Sequence, residues 1–113
     1  MKFTAKYIEK NLSKWQRIKN AWDAPVIPDD EVTDENLTLF IFQSYLHIQS
    51  VDEVADKLNE LNFRTTSPAG NQVQYKATDI SGIIRNREIE DQDLQFACRE
   101  IIDENTKAVG KRY

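Results

Sequence analysis

A chain of 113 residues, 40% hydrophobic and 30% charged, has the composition of one folded domain and not of a disordered segment. Only three glycines and three prolines argue against a turn-rich β-sandwich, and the longest apolar run, residues 39–42, is far too short to span a membrane. Residues 1–15 lack the apolar stretch of a signal peptide, and the single Cys98 excludes an internal disulfide. We therefore expect a cytoplasmic protein.

The charge of the chain is unevenly distributed, although the net value is only −4. Residues 1–22 carry six bases and one acid, whereas residues 23–49 carry six acids and neither lysine nor arginine. Residues 50–87 carry five charges of each sign, and residues 88–113 carry seven acids and four bases. Nucleic-acid binding would therefore depend on a local basic surface and not on the overall charge.

The first predicted element is an amphipathic helix over residues 4–22. Its apolar positions recur every three or four residues, and we expect Trp15 and Trp22 to be buried because of their large apolar area. A neighbouring stripe of this helix is basic. One interpretation is a core helix with a solvated face, and another is that the stripe follows DNA phosphates. A membrane-surface helix fits the same pattern but is disfavoured, because a small domain needs the aromatic residues of this helix for its core. The stripe residues assigned to DNA are Lys6, Lys10, Lys14 and Arg17.

The second predicted helix, residues 34–48, follows a proline-containing break over residues 23–28. Acids precede it, and Thr33 or Asp30 is the expected N-cap. The run LTLFIF is also compatible with a strand, but the helical spacing continues beyond it, so we favour a central helix that is buried on most sides. His47 has no partners at metal-ligand spacing and is interpreted as a helix-terminal or packing residue.

The third predicted helix, residues 51–61, begins with the capping box formed by Ser50 and Glu53. Asn62 follows it and favours a left-handed helix end. Residues 64–77 are predicted to form a polar loop, because they are rich in turn-forming residues, and the alternation over residues 72–75 is compatible with a short extended piece. The loop ends near an aromatic residue that we expect to pack back on the core.

Two further helices complete the chain. Residues 78–86 form a short helix that Thr78 is expected to cap, with three isoleucines facing inward and small polar residues facing outward. A last helix over residues 88–109 is expected to start at Asp91 or Asp93, and Cys98 lies on its apolar stripe as a buried small hydrophobe.

No catalytic or metal-binding pattern is visible in the sequence. It contains no glycine-rich phosphate loop, no paired cysteines and no HExxH motif, and its carboxylates cluster at helix starts, where capping explains them. We therefore predict neither an enzyme nor a cofactor or metal.

A family resemblance rests on residues 50–86. An acidic capped helix contains Ala55 and then Leu58-Asn59, a triplet Arg64-Thr65-Thr66 follows the helix end, and an aromatic residue, Tyr75, precedes the pattern Thr78-x-Ile80-x-x-Ile83-Ile84-x-Asn86. This order is similar to the helix-turn-helix of the large serine recombinases and resolvases. The catalytic domain of that family has no counterpart in this chain, so the resemblance implies a DNA-binding fold and not recombination.

The patterns together predict an all-α fold in a single domain, residues 1–113, with about five helices. A trihelical helix-turn-helix core, residues 30–87, is flanked by the N-terminal amphipathic helix, residues 1–22, and the C-terminal helix, residues 88–109. The resemblance implies that one group of side chains faces the major groove and another lies near the DNA backbone. The major-groove group is Lys76, Thr78, Ser81 and Arg85, the backbone group is Arg64, Thr65 and Thr66, and Arg87 ends the recognition helix.

The function predicted on this basis is a small protein that binds double-stranded DNA, with residues 78–87 as recognition helix. It would be a transcriptional repressor or accessory factor of a phage or mobile element, and symmetric sites would require a homodimer. No membrane partner is expected. The alternative is an adaptor or inhibitor that uses the helices as a scaffold, binds a basic protein through acidic surfaces, and does not bind DNA.

Overall fold

A computed structural model describes the backbone of residues 5–110 and the side chains of residues 12–105. Most of this part of the chain is helical, which confirms the all-α class. The helices are α1 (Ala5–Asp23), α2 (Leu37–Ile48), α3 (Val51–Glu60), α4 (Ala77–Asn86) and α5 (Gln92–Gly110). A 3-10 turn (Asp29–Glu31) precedes α2, and two short strands, β1 (Thr65–Thr66) and β2 (Gln72–Val73), lie between α3 and α4.

The core is built around α2, in which every residue from 40 to 46 is buried. Helices α3, α4 and α5 all contact it, and each contributes fully buried side chains, among them Leu58, Ile80 and Leu94. The run LTLFIF is therefore helical, as predicted. From residue 40 onward it is buried, because neighbouring helices surround it.

The start of α2 differs from the prediction of a helix from residue 34. The helix begins at Leu37 with Asn36 as its N-cap, so the expectation that Thr33 or Asp30 caps it is wrong. The Asn36 side chain instead holds the preceding turn, because its Oδ1 accepts a hydrogen bond from the Thr33 amide at 2.7 Å and its Nδ2 donates to the Glu31 carbonyl at 3.1 Å. These bonds stabilise a turn where the helix was expected.

The packing of α1 contradicts the expectation that its tryptophans are buried. Trp15 is 63% exposed and Trp22 is 47% exposed. Helix α1 packs mainly along α5, and it contributes the buried Ala21 and the half-buried Ile18 to the core. The side chains of α2 to α5 already fill the core, so the remaining apolar residues of α1 stay at the surface.

Helix α5 begins at Gln92, four residues later than predicted, since residues 87–91 are not helical. Asp91 is the capping residue, as one of the two expected alternatives, and its Oδ1 accepts a hydrogen bond from the Leu94 amide at 3.1 Å. Cys98 is fully buried, as predicted, with its Sγ 3.1 Å from the Phe42 carbonyl oxygen.

Within residues 5–110, no helix combines the length and apolarity needed to cross a membrane.

Candidate nucleic-acid interface

The C-terminal end of α3 is locked by a Schellman motif. Asn62 has a left-handed conformation with φ of 67°, as predicted, and its amide donates to the Asn59 carbonyl at 3.0 Å. The Phe63 amide donates to the Leu58 carbonyl at 3.0 Å, and the Phe63 side chain packs against the core. The chain therefore leaves α3 in a defined direction.

The segment between α3 and α4 was expected to be a polar loop, but it contains an antiparallel hairpin in which Thr65 pairs with Val73 and Thr66 with Gln72. The Ser67 amide donates to the Asn71 carbonyl at 2.8 Å at the base of the turn. Gly70 has φ of +87°, a conformation that side-chain-bearing residues rarely adopt. The helix-to-helix connection is thus an ordered projection and not a short turn.

Asn59 fixes the start of α4 to the end of α3. Its Oδ1 accepts a hydrogen bond from the Tyr75 amide at 2.8 Å, and its Nδ2 donates to the Tyr75 carbonyl at 3.0 Å. The Tyr75 side chain is buried, as expected for the aromatic residue at the end of the loop. The motif residues Asn59 and Tyr75 are therefore joined directly, although 16 residues separate them.

The start of α4 corrects the prediction that Thr78 is its cap. The N-cap is Lys76, and Thr78 is the second residue of the helix. The Lys76 amide donates to the Asp79 Oδ2 at 2.9 Å, so the carboxylate satisfies an amide that lies at the helix end. Asp79 thus completes the helix end, where its charge also suits the helix dipole.

Helix α4 has a buried side and a low-profile outer side. Ile80, Ile83 and Ile84 face the core, as predicted. At 100° per residue, Thr78, Gly82 and Arg85 lie near the middle of the opposite side. A side chain atom added at Gly82 would meet nothing within 4 Å, so the space in front of the helix is open. Another surface can approach the α4 backbone closely there.

Of the residues assigned to DNA on α4 and around the hairpin, three line one groove. Thr65 and Thr78 line one shallow groove with Gly82, Asn86 and Arg87. Ser81 lies at the edge of the outer side, in a separate cavity. The remaining members of the set, Arg64, Thr66, Lys76 and Arg85, are exposed.

Contacts within the chain position the three arginines of this set. Arg64 donates from Nη1 to the carbonyl oxygens of Phe63 and Asn59, at 2.7 and 3.2 Å. Arg85 forms an ion pair with Asp103 at 3.6 Å, and Arg87 donates to the Thr38 hydroxyl at 2.9 Å. Each of these three side chains is therefore exposed and held by contacts within the chain.

The basic stripe of α1 is engaged differently. Lys14 Nζ lies 2.9 Å from Glu100 Oε2, and Arg17 Nε donates to Asp93 Oδ1 at 2.9 Å while its guanidinium carbon lies 4.2 Å from the Phe96 ring centre. The hydrogen bond from Arg17 lowers the pKa of the Asp93 carboxyl. Both cations thus bind α5. The side chains of Lys6 and Lys10 lie outside the described residues.

Two residues that hold α4 in place were not singled out as functional from the sequence. Arg99 on α5 donates from Nε to the Ile84 carbonyl at 3.0 Å and from Nη2 to the Arg87 carbonyl at 2.8 Å, which satisfies the C-terminal end of α4. The sequence identified Asn59 only as a motif residue. Its position directly after Leu58, which is buried, is the one local feature that could have indicated a structural role. No local signal in the sequence identified Arg99, because its partners are 12 to 15 residues away.

The described residues contain no group of three or more His, Cys, Asp or Glu side chains that could hold a metal ion. His47 packs its ring against Trp22, with 4.4 Å between ring centres. Burial raises the pKa of the Cys98 thiol to about 12, which makes it a poor nucleophile at neutral pH. Within the described part of the chain, His47 and Cys98 thus make packing contacts.

No family model, no curated protein and no solved structure matches the chain.

Proposed function

We propose that this chain is a small DNA-binding protein in which α3 and α4 act as a helix-turn-helix, α4 enters the major groove, and the protein serves as a transcriptional repressor or accessory factor. The observation that carries the proposal is the outer side of α4. It is small and polar where Thr78 and Gly82 lie, the space in front of Gly82 is open, and Arg85 and Lys76 nearby are exposed. A recognition helix needs small polar residues on the side that faces the DNA, because bulky residues would keep its backbone away from base edges.

The surroundings of α4 support the same role. A 10-residue helix is about 15 Å long, a length that fits along the major groove. It is held rigidly at both ends, by Asn59 through Tyr75 and by Arg99. Rigid mounting lowers the entropic cost of binding. Arg64 and Lys76 flank the helix near the hairpin, where they would contact phosphates.

The experiment is a fluorescence anisotropy titration of random duplex DNA, and of sites enriched from a random pool, at several salt concentrations. Lys76→Ala should weaken binding to all duplexes and reduce the salt slope by about one. Arg85→Ala should remove about 1–3 kcal/mol of preference for the enriched site over random DNA. The matched control is Lys19→Ala, a 70% exposed lysine on α1 that forms an ion pair with Asp23 of the same helix at 3.5 Å.

The result that would refute the proposal is an absence of salt-sensitive DNA binding at about 50 mM salt, where phosphate contacts are strong. Equal effects of Lys76→Ala and Lys19→Ala would also refute the assignment of α4, since they would point to a diffuse charge effect.

The alternative function is a protein-interaction module that does not bind DNA. One observation favours it: α1 exposes Leu12, Trp15 and Trp22 on one side, and exposed aromatic clusters are typical of protein interfaces. Binding of DNA through α4 and use of this α1 surface are compatible, because α1 packs on α5 and lies away from the outer side of α4.

A further inference from the structure

The lysines and arginines of the described residues differ in whether a carboxylate of the same chain neutralises them. Nine of them have described side chains, and six of these nine form ion pairs with Asp or Glu at 2.9 to 3.7 Å. The three that form no ion pair with a described carboxylate are Arg64, Lys76 and Arg87. The positive charge that remains for a partner therefore lies around the hairpin and at the end of α4.

The hairpin between α3 and α4 leaves the core and returns to it. Phe63 before it packs against the core and Tyr75 after it is buried. We call residues 64–74 the hairpin arm, in which only Thr65 and Ser67 are half-buried and all others are exposed. At about 3.3 Å per strand residue, an arm of this length reaches up to roughly 15 Å from the core.

The chemistry of the hairpin arm suits a polyanion. Residues 61–78 contain Arg64 and Lys76 but neither Asp nor Glu, and they form the longest acid-free stretch in a chain of net charge −4. Hydroxyl and amide side chains donate hydrogen bonds to phosphate oxygens, and they do so without charge repulsion. The exposed side chains of this kind in the arm are Thr66, Asn71, Gln72 and Gln74.

The tip of the arm has a fixed shape. The Ser67 carbonyl accepts a hydrogen bond from the Gly70 amide at 2.9 Å, and the Ser67 amide donates to the Asn71 carbonyl at 2.8 Å. The Asn71 amide donates in turn to the Ser67 hydroxyl oxygen at 3.2 Å. Pro68 restricts the backbone further, because its ring fixes its own φ. The tip is therefore ordered before binding, which lowers the entropic cost of contact.

The base of the arm borders the outer side of α4. Thr65 of β1 lines the shallow groove whose other lining residues belong to α4, together with Arg87 directly after it. The hairpin and α4 thus form the walls of one groove, with an unneutralised arginine among its lining residues. An element beside a helix that lies in the major groove meets the sugar-phosphate backbone at the border of that groove.

We propose that the hairpin arm is a second DNA-binding element, which contacts the sugar-phosphate backbone beside the major groove that α4 enters. Arg64 and Lys76 bind phosphates at its base, and the tip around Ala69 extends the contact along the backbone. This inference rests on the proposed function, because it takes the duplex to lie against the outer side of α4. The arm adds affinity that does not depend on the base sequence.

The test changes the charge of the tip in both directions. Ala69 is exposed, so neither a lysine nor a glutamate there displaces a core residue. Ala69→Lys should tighten binding and increase the salt slope by about one, because it adds a phosphate contact. Ala69→Glu should weaken binding at least about fivefold, since like charges about 4 Å apart repel even in water. Opposite effects at one position cannot arise from loss of folding.

The measurement is the anisotropy titration of random duplex DNA and of the enriched site at several salt concentrations. Both Ala69 variants should shift the two affinities by equal factors and leave the preference for the enriched site unchanged, because phosphate contacts carry no sequence information. The matched controls are Ser13→Lys and Ser13→Glu. Ser13 is exposed on α1, and the cations Lys14 and Arg17 near it are already in ion pairs.

The outcomes separate this inference from the proposed function. If the wild type binds DNA but the Ala69 variants differ from it no more than the Ser13 variants do, the hairpin assignment is wrong and binding through α4 stands. If the wild type shows no salt-sensitive DNA binding, both proposals fail. If the Ala69 variants act as expected while Arg85→Ala leaves the site preference unchanged, the hairpin assignment is supported and the reading role of α4 is wrong.

Discussion

The two hydrogen bonds between Asn59 and the Tyr75 backbone are the contact that sets the position of α4 relative to α3. Asn59→Ala removes both at once and leaves the amide and the carbonyl of Tyr75 without these partners. Both bonds are partly buried, so solvent cannot replace them fully. The substitution keeps the helix backbone intact, because alanine is the best helix-forming residue.

The expected loss follows from the hydrogen-bond energies. Each bond contributes about 1 kcal/mol net, and an unsatisfied buried group adds to the loss, so we expect the free energy of unfolding to fall by about 2–3 kcal/mol. A domain of this size has a total stability of about 5–15 kcal/mol. The loss corresponds to a decrease in Tm of roughly 10 °C.

Urea unfolding followed by circular dichroism measures this loss, and amide hydrogen exchange of Tyr75 tests its location. The exchange of this amide should speed up by more than that of Ile84 in the core of α4. Asn86→Ala is the matched control, because Asn86 is exposed on α4, and it should change stability by less than about 0.5 kcal/mol. If Asn59→Ala lost no more stability than this control, the bridge would not hold α4.

Two other predictions concern titrating groups. Since the hydrogen bond from Arg17 lowers the pKa of Asp93 in the folded chain, this carboxylate stabilises the fold above its unfolded pKa, and the contribution is lost as pH falls through the lower folded value. The free energy of unfolding of Asp93→Asn should therefore be lower than that of the wild type at pH 7, by at most about 1 kcal/mol because the pair is partly solvated. Urea unfolding should show that this difference vanishes at acid pH. A difference that stays constant with pH would contradict the prediction. Because burial raises the pKa of Cys98 to about 12, iodoacetamide at pH 8 should label it only in denaturant, and rapid labelling of the native protein would show that the thiol is accessible.

The sequence by itself determined the features that depend on near neighbours along the chain. Ser50 accepts a hydrogen bond from the Glu53 amide at 3.3 Å, and Asn62 adopts the left-handed conformation, so both ends of α3 were predictable. The helical state of α2 and the inward side of α4 followed from apolar spacing, which the backbone geometry of a helix translates directly into a face.

Only the tertiary structure decided which surfaces meet. Arg17 belongs to the basic stripe that the sequence assigned to DNA phosphates, but it binds Asp93 of α5, which is 76 residues away. Trp15 is exposed because α2 to α5 already fill the core, a property of the whole packing and not of α1. The bridge from Asn59 to Tyr75 spans a hairpin of which the sequence indicated only the extended piece near residue 72 and not its pairing with Thr65 and Thr66. Local rules act within a few residues, whereas burial and pairing depend on the choice among all surfaces in the fold.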